Sequence, residues 1–329
     1  MIGDRERCIN PANLTAPVSV WYISFHGGTE EYSRNNIHIY SETGEELGKA
    51  LNRKSLPDHI ELRELRGFGF GPDENLYVVN AYRKASQILR FSGKRNSEGQ
   101  HDFLSAFVTH HPEHNPQLLH PFNFAFSPAG NLHVSNQDTG CISRYHGPDA
   151  EHPGSPMPLP DAIRELNEPF PGEFVPSIER WEAGVRVVRD LVVGPDGHLY
   201  VADRDADSVM IYELNTGKRV DVIQSPELSK PIHLALDPAT HLLLIGNGGN
   251  DSVACYDFTT KSCSILVPSG TGHLNGPAGM AFGEDGDFYV ASRLSNRVVR
   301  FTKNGGKMVG RPFIKDLTDN PEFLLSVRV

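Results

Sequence analysis

The chain has 329 residues, and its 31 Lys and Arg stand against 41 Asp and Glu for a formal net charge of −10 at pH 7. Hydrophobic residues are 38% and charged residues 22%, which supplies a substantial core and excludes a disordered polyelectrolyte. The acidity argues against nucleic acid as a partner, because phosphate binding needs a basic face. No apolar run reaches the roughly 18–20 residues of a membrane helix, so no membrane partner is expected. The opening MIGDRER lacks the apolar stretch of a secretory signal, which predicts a cytoplasmic protein.

In chain order, VSVWYISF (18–25) and NIHIY (36–40) read as two strands. A strand–turn–strand unit follows, GFGFGPDENLYVVN (67–80). It recurs as NFAFSPAGNLHVSN (123–136), DLVVGPDGHLYVAD (190–203), HLALDPATHLLLIGN (233–247) and GMAFGEDGDFYVAS (279–292). Each copy is a buried strand, a tight turn built on Pro, Asp and Gly, and a second strand. A third strand comes after each: QILRF (87–91), CISRY (141–145), SVMIY (208–212), SVACY (252–256) and RVVRF (297–301). A more variable fourth strand completes the unit, as in GKRVDVI (217–223).

Four antiparallel strands starting 43–67 residues apart match the period of a β-propeller blade. The end segment NPEFLLSVRV (320–329) resembles the first strand of the repeat, which the N-terminal strands lack. The prediction is an all-β, single-domain, six-bladed propeller of four-stranded blades, its ring closed by the C-terminal strand joining the N-terminal blade. Blade 1 combines 17–60 with 319–329. Blades 2 to 6 span 63–115, 118–182, 186–227, 230–270 and 275–316. Blade 3 carries a Pro-rich insertion, 147–172, expected on the face opposite the mouth described next. A closed ring makes a monomer sufficient. Cys8 and Cys141 have no partner by spacing, whereas Cys255 and Cys263 flank a turn and could face each other across a hairpin; the expectation is that they are reduced.

The runs GPDGHLYVAD (194–203) and LSNRVVRF (294–301) look like NHL repeats. More broadly, nearly the whole chain resembles the six-bladed superfamily of gluconolactonase-like (calcium-dependent phosphotriesterase) hydrolases, paraoxonase-like enzymes and NHL proteins. That resemblance implies the fold, but this fold hosts hydrolases, lyases and pure binding modules.

Aligning the copies places Gly67, Asn123, Asp190, His233, Gly279 and Glu322 or Phe323 at the mouths of the innermost strands. Polar ligands there converge on the central channel. Gluconolactonase-like enzymes hold a cation with Glu, Asn and Asp from these positions, so the resemblance implies Asn123, Asp190 and Glu322 as a metal set. Ca²⁺ is favoured over Zn²⁺ or Mn²⁺, with no metal an equal alternative. Asn123 and Asp190 can equally tie off loop amides. His233 is fixed at the mouth by the repeat and, with Asp190, forms the expected catalytic pair. His26 and His273 are placed to approach from other blades, while His110, His111 and His114 read as a solvated loop.

Asn123, His120, Arg66, Arg189, Arg293 and Tyr82 are the expected substrate-binding residues, with Arg204 a further rim arginine suited to an anionic substrate. Asn80, Asn136, Asp203, Asn247 and Ser292 follow the second strands and read as caps of the turn into the third strand. No Gly-x-Ser-x-Gly elbow, phosphate-cradling loop or HExxH occurs.

The expected function is a small-molecule enzyme acting at the channel mouth, by lactone or ester hydrolysis assisted by a cation that polarises a carbonyl or activates water. One alternative is a lyase or cyclase using the same pocket without metal. The other is a non-enzymatic NHL-type propeller binding a protein, peptide or glycan. On the enzyme reading, Asp190→Ala and Asn123→Ala abolish activity and leave the fold intact.

Overall fold

The computed structural model describes residues 19–26, 35–237, 239–304 and 306–328. Cys8 and Val18 lie outside them. The described strands form six four-stranded antiparallel sheets. Five are consecutive hairpin-linked units. The sixth takes its innermost strand, Pro321–Arg328, from the C-terminus and pairs it with Ser19–Phe25. Leu324 sits opposite Ile23 in that pairing. Six blades therefore close into a ring with the closure predicted from sequence, and the inner edge of blade 1 is paired rather than exposed.

The core is divided among the six blade interfaces because strand side chains alternate between faces. Tyr22 joins a cluster shared with blade 2, including Leu65, Val78 and Leu89. Its neighbours Trp21 and Ile23 face blade 6 and pack on Tyr289, Ala291 and Val298. The other four interfaces are built the same way.

The Gly-Pro-Asp turn of the repeat has a specific physical cause. The turn aspartate accepts a hydrogen bond from the tyrosine hydroxyl four residues on: Asp73 from Tyr77 at 3.1 Å, Asp196 from Tyr200 at 2.8 Å and Asp285 from Tyr289 at 2.8 Å. A Cβ at Gly71 or Gly194 would lie 2.4 Å from that tyrosine ring, so only glycine fits there.

The 147–172 insertion holds a short helix, Asp161–Arg164. It runs against the turns opposite the mouth, where Gly147 abuts the Gly130 carbonyl and Arg144 Nη2 donates to Pro158 O at 3.0 Å. Cys255 pairs in register with Ser264, and Cys263 with Tyr256. The two thiols thus point to opposite sheet faces, into different blade interfaces. Both are free, in agreement with the reduced state expected from the sequence.

Among the described residues no helix is long and apolar enough to cross a membrane.

Candidate functional site at the channel mouth

Each innermost strand begins with the same irregularity. In blade 3, Pro121 pairs with Asn136 but Phe124 pairs with Val134, so one extra residue is accommodated on the inner strand. The register slips in the same place in the other five sheets. Such a bulge re-aims side chains. It turns the residue just ahead of each aligned position toward the channel mouth: Arg66, Phe122, Arg189, Ile232, Ala278 and Glu322 all line one cavity of about 420 Å³.

A second tier comes from the residues that leave the second strands: His26, Gln137, Arg204, Gly248 and Arg293. Their positions are set by one backbone bond repeated around the ring. The amides of His26, Ala81, Gln137, Arg204, Gly248 and Arg293 each donate to a carbonyl in the loop before the first strand of their blade, at 2.9–3.2 Å. The loops themselves are held by the capping side chains. Asp203 accepts from the Arg186 and Val187 amides, Asn247 from Ser229 and Asn80 from Arg63. These caps tie the approach to the first strand, and Asn80 and Asn247 bond to the third strand as well, whereas Asn136 bonds to the third strand and not to the approach.

The residues singled out in the sequence separate into three groups. Arg66, Arg189, Arg293, His120, His233 and Glu322 line the pocket. Asn123 and Asp190 lie beneath it rather than in its wall. Asn123 Nδ2 donates to Asp190 Oδ1 at 2.6 Å, Leu191 N donates to the same oxygen at 2.8 Å, and Leu234 N donates to Oδ2 at 3.0 Å. Asp190 is 1% exposed and stitches blades 3, 4 and 5 together. Tyr82 is not in the lining, its ring lying under the Arg63 guanidinium at 4.3 Å. His110, His111, His114 and His273 do not line the pocket either.

Glu322 is the electrostatic hub. Arg66 Nη1 donates to its Oε1 at 2.5 Å, and His26 Nδ1 lies 3.0 Å from the same atom. Arg293 Nε stands 2.7 Å away but off the hydrogen-bond axis, so that contact is Coulombic. Burial pushes this carboxyl upward, but Arg66, the nearby His26 ring and Arg293 outweigh it and hold Glu322 well below the usual carboxylate range. His120 sits at the rim with Nδ1 3.0 Å from Asp138; burial lowers its pKa against the opposing pull of that carboxylate.

His233 is 1% exposed and is gripped between the Phe122 and Phe323 rings, at 5.1 and 4.8 Å. Neither of its ring nitrogens makes a hydrogen bond. Nδ1 is 3.6 Å from Asp190 Oδ2, and Nε2 is 3.9 Å from Glu322 Oε2. Buried polar atoms without partners are uncommon and point to a missing ligand or solvent. In this lining Arg66 Nε, His120 Nε2 and Arg293 Nε also lack a partner, but His233 is the lining side chain that lacks one at both of its ring nitrogens.

A divalent cation needs several oxygens with free lone pairs. Asp190 spends both oxygens on three N–H donors, and Glu322 Oε1 faces two guanidiniums. Four arginines share the pocket lining with a single carboxylate. The donor set Asn123, Asp190 and Glu322 therefore does not fit a divalent cation. Among the described residues no group of three or more His, Cys, Asp or Glu is placed to hold one.

No protein-family model matches the chain, and no curated protein matches it in sequence. Its fold is shared with solved structures. A chain of the nidogen/laminin complex is 14% identical with a TM-score of 0.61, over 94% of this chain and 98% of that one. The periplasmic gluconolactonase of Pseudomonas aeruginosa is 14% identical with a TM-score of 0.56, over 94% and 99%. A catalytically inactive histidine-to-alanine variant of virginiamycin B lyase from Staphylococcus aureus, solved with quinupristin, is 13% identical with a TM-score of 0.56, over 96% and 94%. At these identities the likeness is one of fold.

Proposed function

We propose that this propeller is a small-molecule enzyme that hydrolyses a lactone or ester at the channel mouth by acid–base chemistry centred on His233, without a metal. The observation that carries the reading is the His233 imidazole: buried, without a hydrogen bond at either nitrogen, flanked by the Asp190 and Glu322 carboxylates, and lining a pocket of about 420 Å³. A pocket of that size suits a small molecule rather than a protein surface. In this scheme an imidazole nitrogen takes a proton from water as the water oxygen bonds to the carbonyl carbon. The tetrahedral intermediate collapses, the C–O bond to the leaving group breaks, and the imidazolium returns the proton to the departing alkoxide.

Arg293 is the group suited to the developing oxyanion. It flanks the same Glu322 carboxylate as His233, and its side chain is 31% exposed, whereas Arg66 at 5% is spent on Glu322 and His26. The structural likeness to a gluconolactonase and to a virginiamycin B lyase fits either hydrolysis or elimination on such a scaffold. In an elimination, His233 would take a carbon-bound proton instead of one from water.

The test is turnover of a lactone and ester panel by wild type and His233→Ala. Turnover that falls about a hundredfold or more in the variant supports the reading. Equal rates, or no turnover of any panel member by wild type, sink it.

A further inference from the structure

Four guanidiniums line the mouth pocket, and they are not equivalent. Arg66 and Arg293 share Glu322. Arg189 and Arg204, both from blade 4, make no salt bridge with Glu322, although its charge reaches Arg189 from a distance. Arg189 Nη1 donates to the carbonyl of its own neighbour Val188 at 2.9 Å. Arg204 has Asp205 at 3.5 Å, an exposed side chain outside the pocket. Burial, and after it the Arg204 charge, lower Arg189 to about 10, as expected of a cation short of counter-charge. Counted over the lining, four arginines against one carboxylate leave a surplus of three positive charges, in a chain whose net charge is −10. The surplus is therefore local. Crowding like charges into a half-closed cavity is costly unless a ligand of opposite sign completes it.

Apolar surface also lines the pocket, with Ile232 from blade 5, Ala278 and Leu294 from blade 6, and Phe122 from blade 3, beside the polar His26, His120, His233 and Gln137.

We infer that the pocket takes a small organic anion whose carboxylate or phosphate group is held by Arg189 and Arg204, with its apolar part against Ile232 and Leu294. Planar guanidinium forks match both oxyanions. This names the substrate class for the site proposed above and rests on that reading for where the reacting group lies. The anion subsite itself does not require His233 to be catalytic.

Melting temperature is followed against sodium phosphate and, separately, sodium malonate, with sodium chloride holding ionic strength constant, for wild type, Arg189→Gln, Arg204→Gln and His233→Ala. A ligand that binds only the folded state raises the melting temperature. The expected result is a saturable rise with at least one anion, weakened about tenfold or more in both arginine variants and kept in His233→Ala. A rise with phosphate alone identifies a phosphate ester, and one with malonate alone identifies a carboxylate. No saturable rise in wild type, or unchanged affinity in the arginine variants, overturns the inference. Arg189 is half-buried, so if Arg189→Gln does not fold, the more exposed Arg204→Gln decides. Anion binding that persists while His233→Ala keeps full turnover would remove the catalytic proposal and leave this one standing.

Discussion

Arg66 and Glu322 are 256 residues apart in sequence, yet the guanidinium of one donates to the carboxylate of the other at 2.5 Å, and both side chains are almost fully buried. The pair joins the inner strand of blade 2 to the strand that closes the ring. It therefore belongs to the site wall and to the ring closure at once. Its partners, His26 and Arg293, make the carboxylate a hub rather than a free ligand.

Glu322→Gln is expected to destabilise the fold by about 3–5 kcal/mol, because it leaves Arg66 buried without its counter-charge. Urea denaturation measures this. A variant as stable as wild type would show that the pair contributes nothing to closure.

Asp190 and His233 are expected to behave in opposite ways. Asp190→Ala strands the Asn123 amide and two backbone N–H groups, a cost of about 3 kcal/mol or more. Loss of activity in that variant would follow from loss of fold, which replaces the expectation that it leaves the fold intact. His233→Ala breaks no hydrogen bond and loses only the packing of the ring between Phe122 and Phe323 beside an open pocket, so it should fold and cost less than Asp190→Ala. Thermal melts of the two variants, run side by side, check the contrast.

Gly67→Ala should destabilise by about 1–3 kcal/mol through overpacking. The new Cβ would lie 1.8 Å from Asn123 Oδ1 and 3.1 Å from Asn123 Cα, and the Asn123 side chain is held by Asp190. A denaturation midpoint equal to wild type would mean that Asn123 is free to move aside.

Two buried histidines set an acid limit. Burial is the main cause that lowers His101 to about 4 and His133 to about 3. Both are depressed below the ordinary histidine value of 6.5, so the unfolded chain takes up protons first as pH falls. Their stability contribution is complete above about 6.5 and is lost between there and 4 for His101, and on to 3 for His133. Melting temperature should fall from pH 6.5 downward, before ordinary surface carboxylates titrate. His101→Asn should flatten the upper part of that decline.

The blade count, the closing strand and the turn signature were legible in the sequence because each is a local pattern repeated five times. The facing of the site was harder to read. Simple strand alternation sends every second residue to the channel, which singles out Asn123, Asp190 and His233. The bulge at the start of each inner strand breaks that alternation and brings forward the preceding residue, so Glu322 and Arg189 face the cavity while Asp190 lies under it. An extra residue in a pairing leaves no compositional mark. His26 and His273 were both placed near the mouth from the sequence, and only His26, carried in by the closure of blade 1, lines the pocket. Arg66, Arg189, Arg204 and Arg293 were legible as rim arginines suited to an anionic substrate, but that a single lining carboxylate stands against them depends on how three different blades converge.

The most direct test of the account is the hydrolysis rate of an anionic lactone or ester, with protein stripped by EDTA, for wild type and His233→Ala at equal folded concentration. The account predicts that stripped wild type retains its turnover and that the variant, still folded, loses about a hundredfold or more of it. Turnover that returns only when a divalent cation is restored, or a variant as fast as wild type, would contradict it.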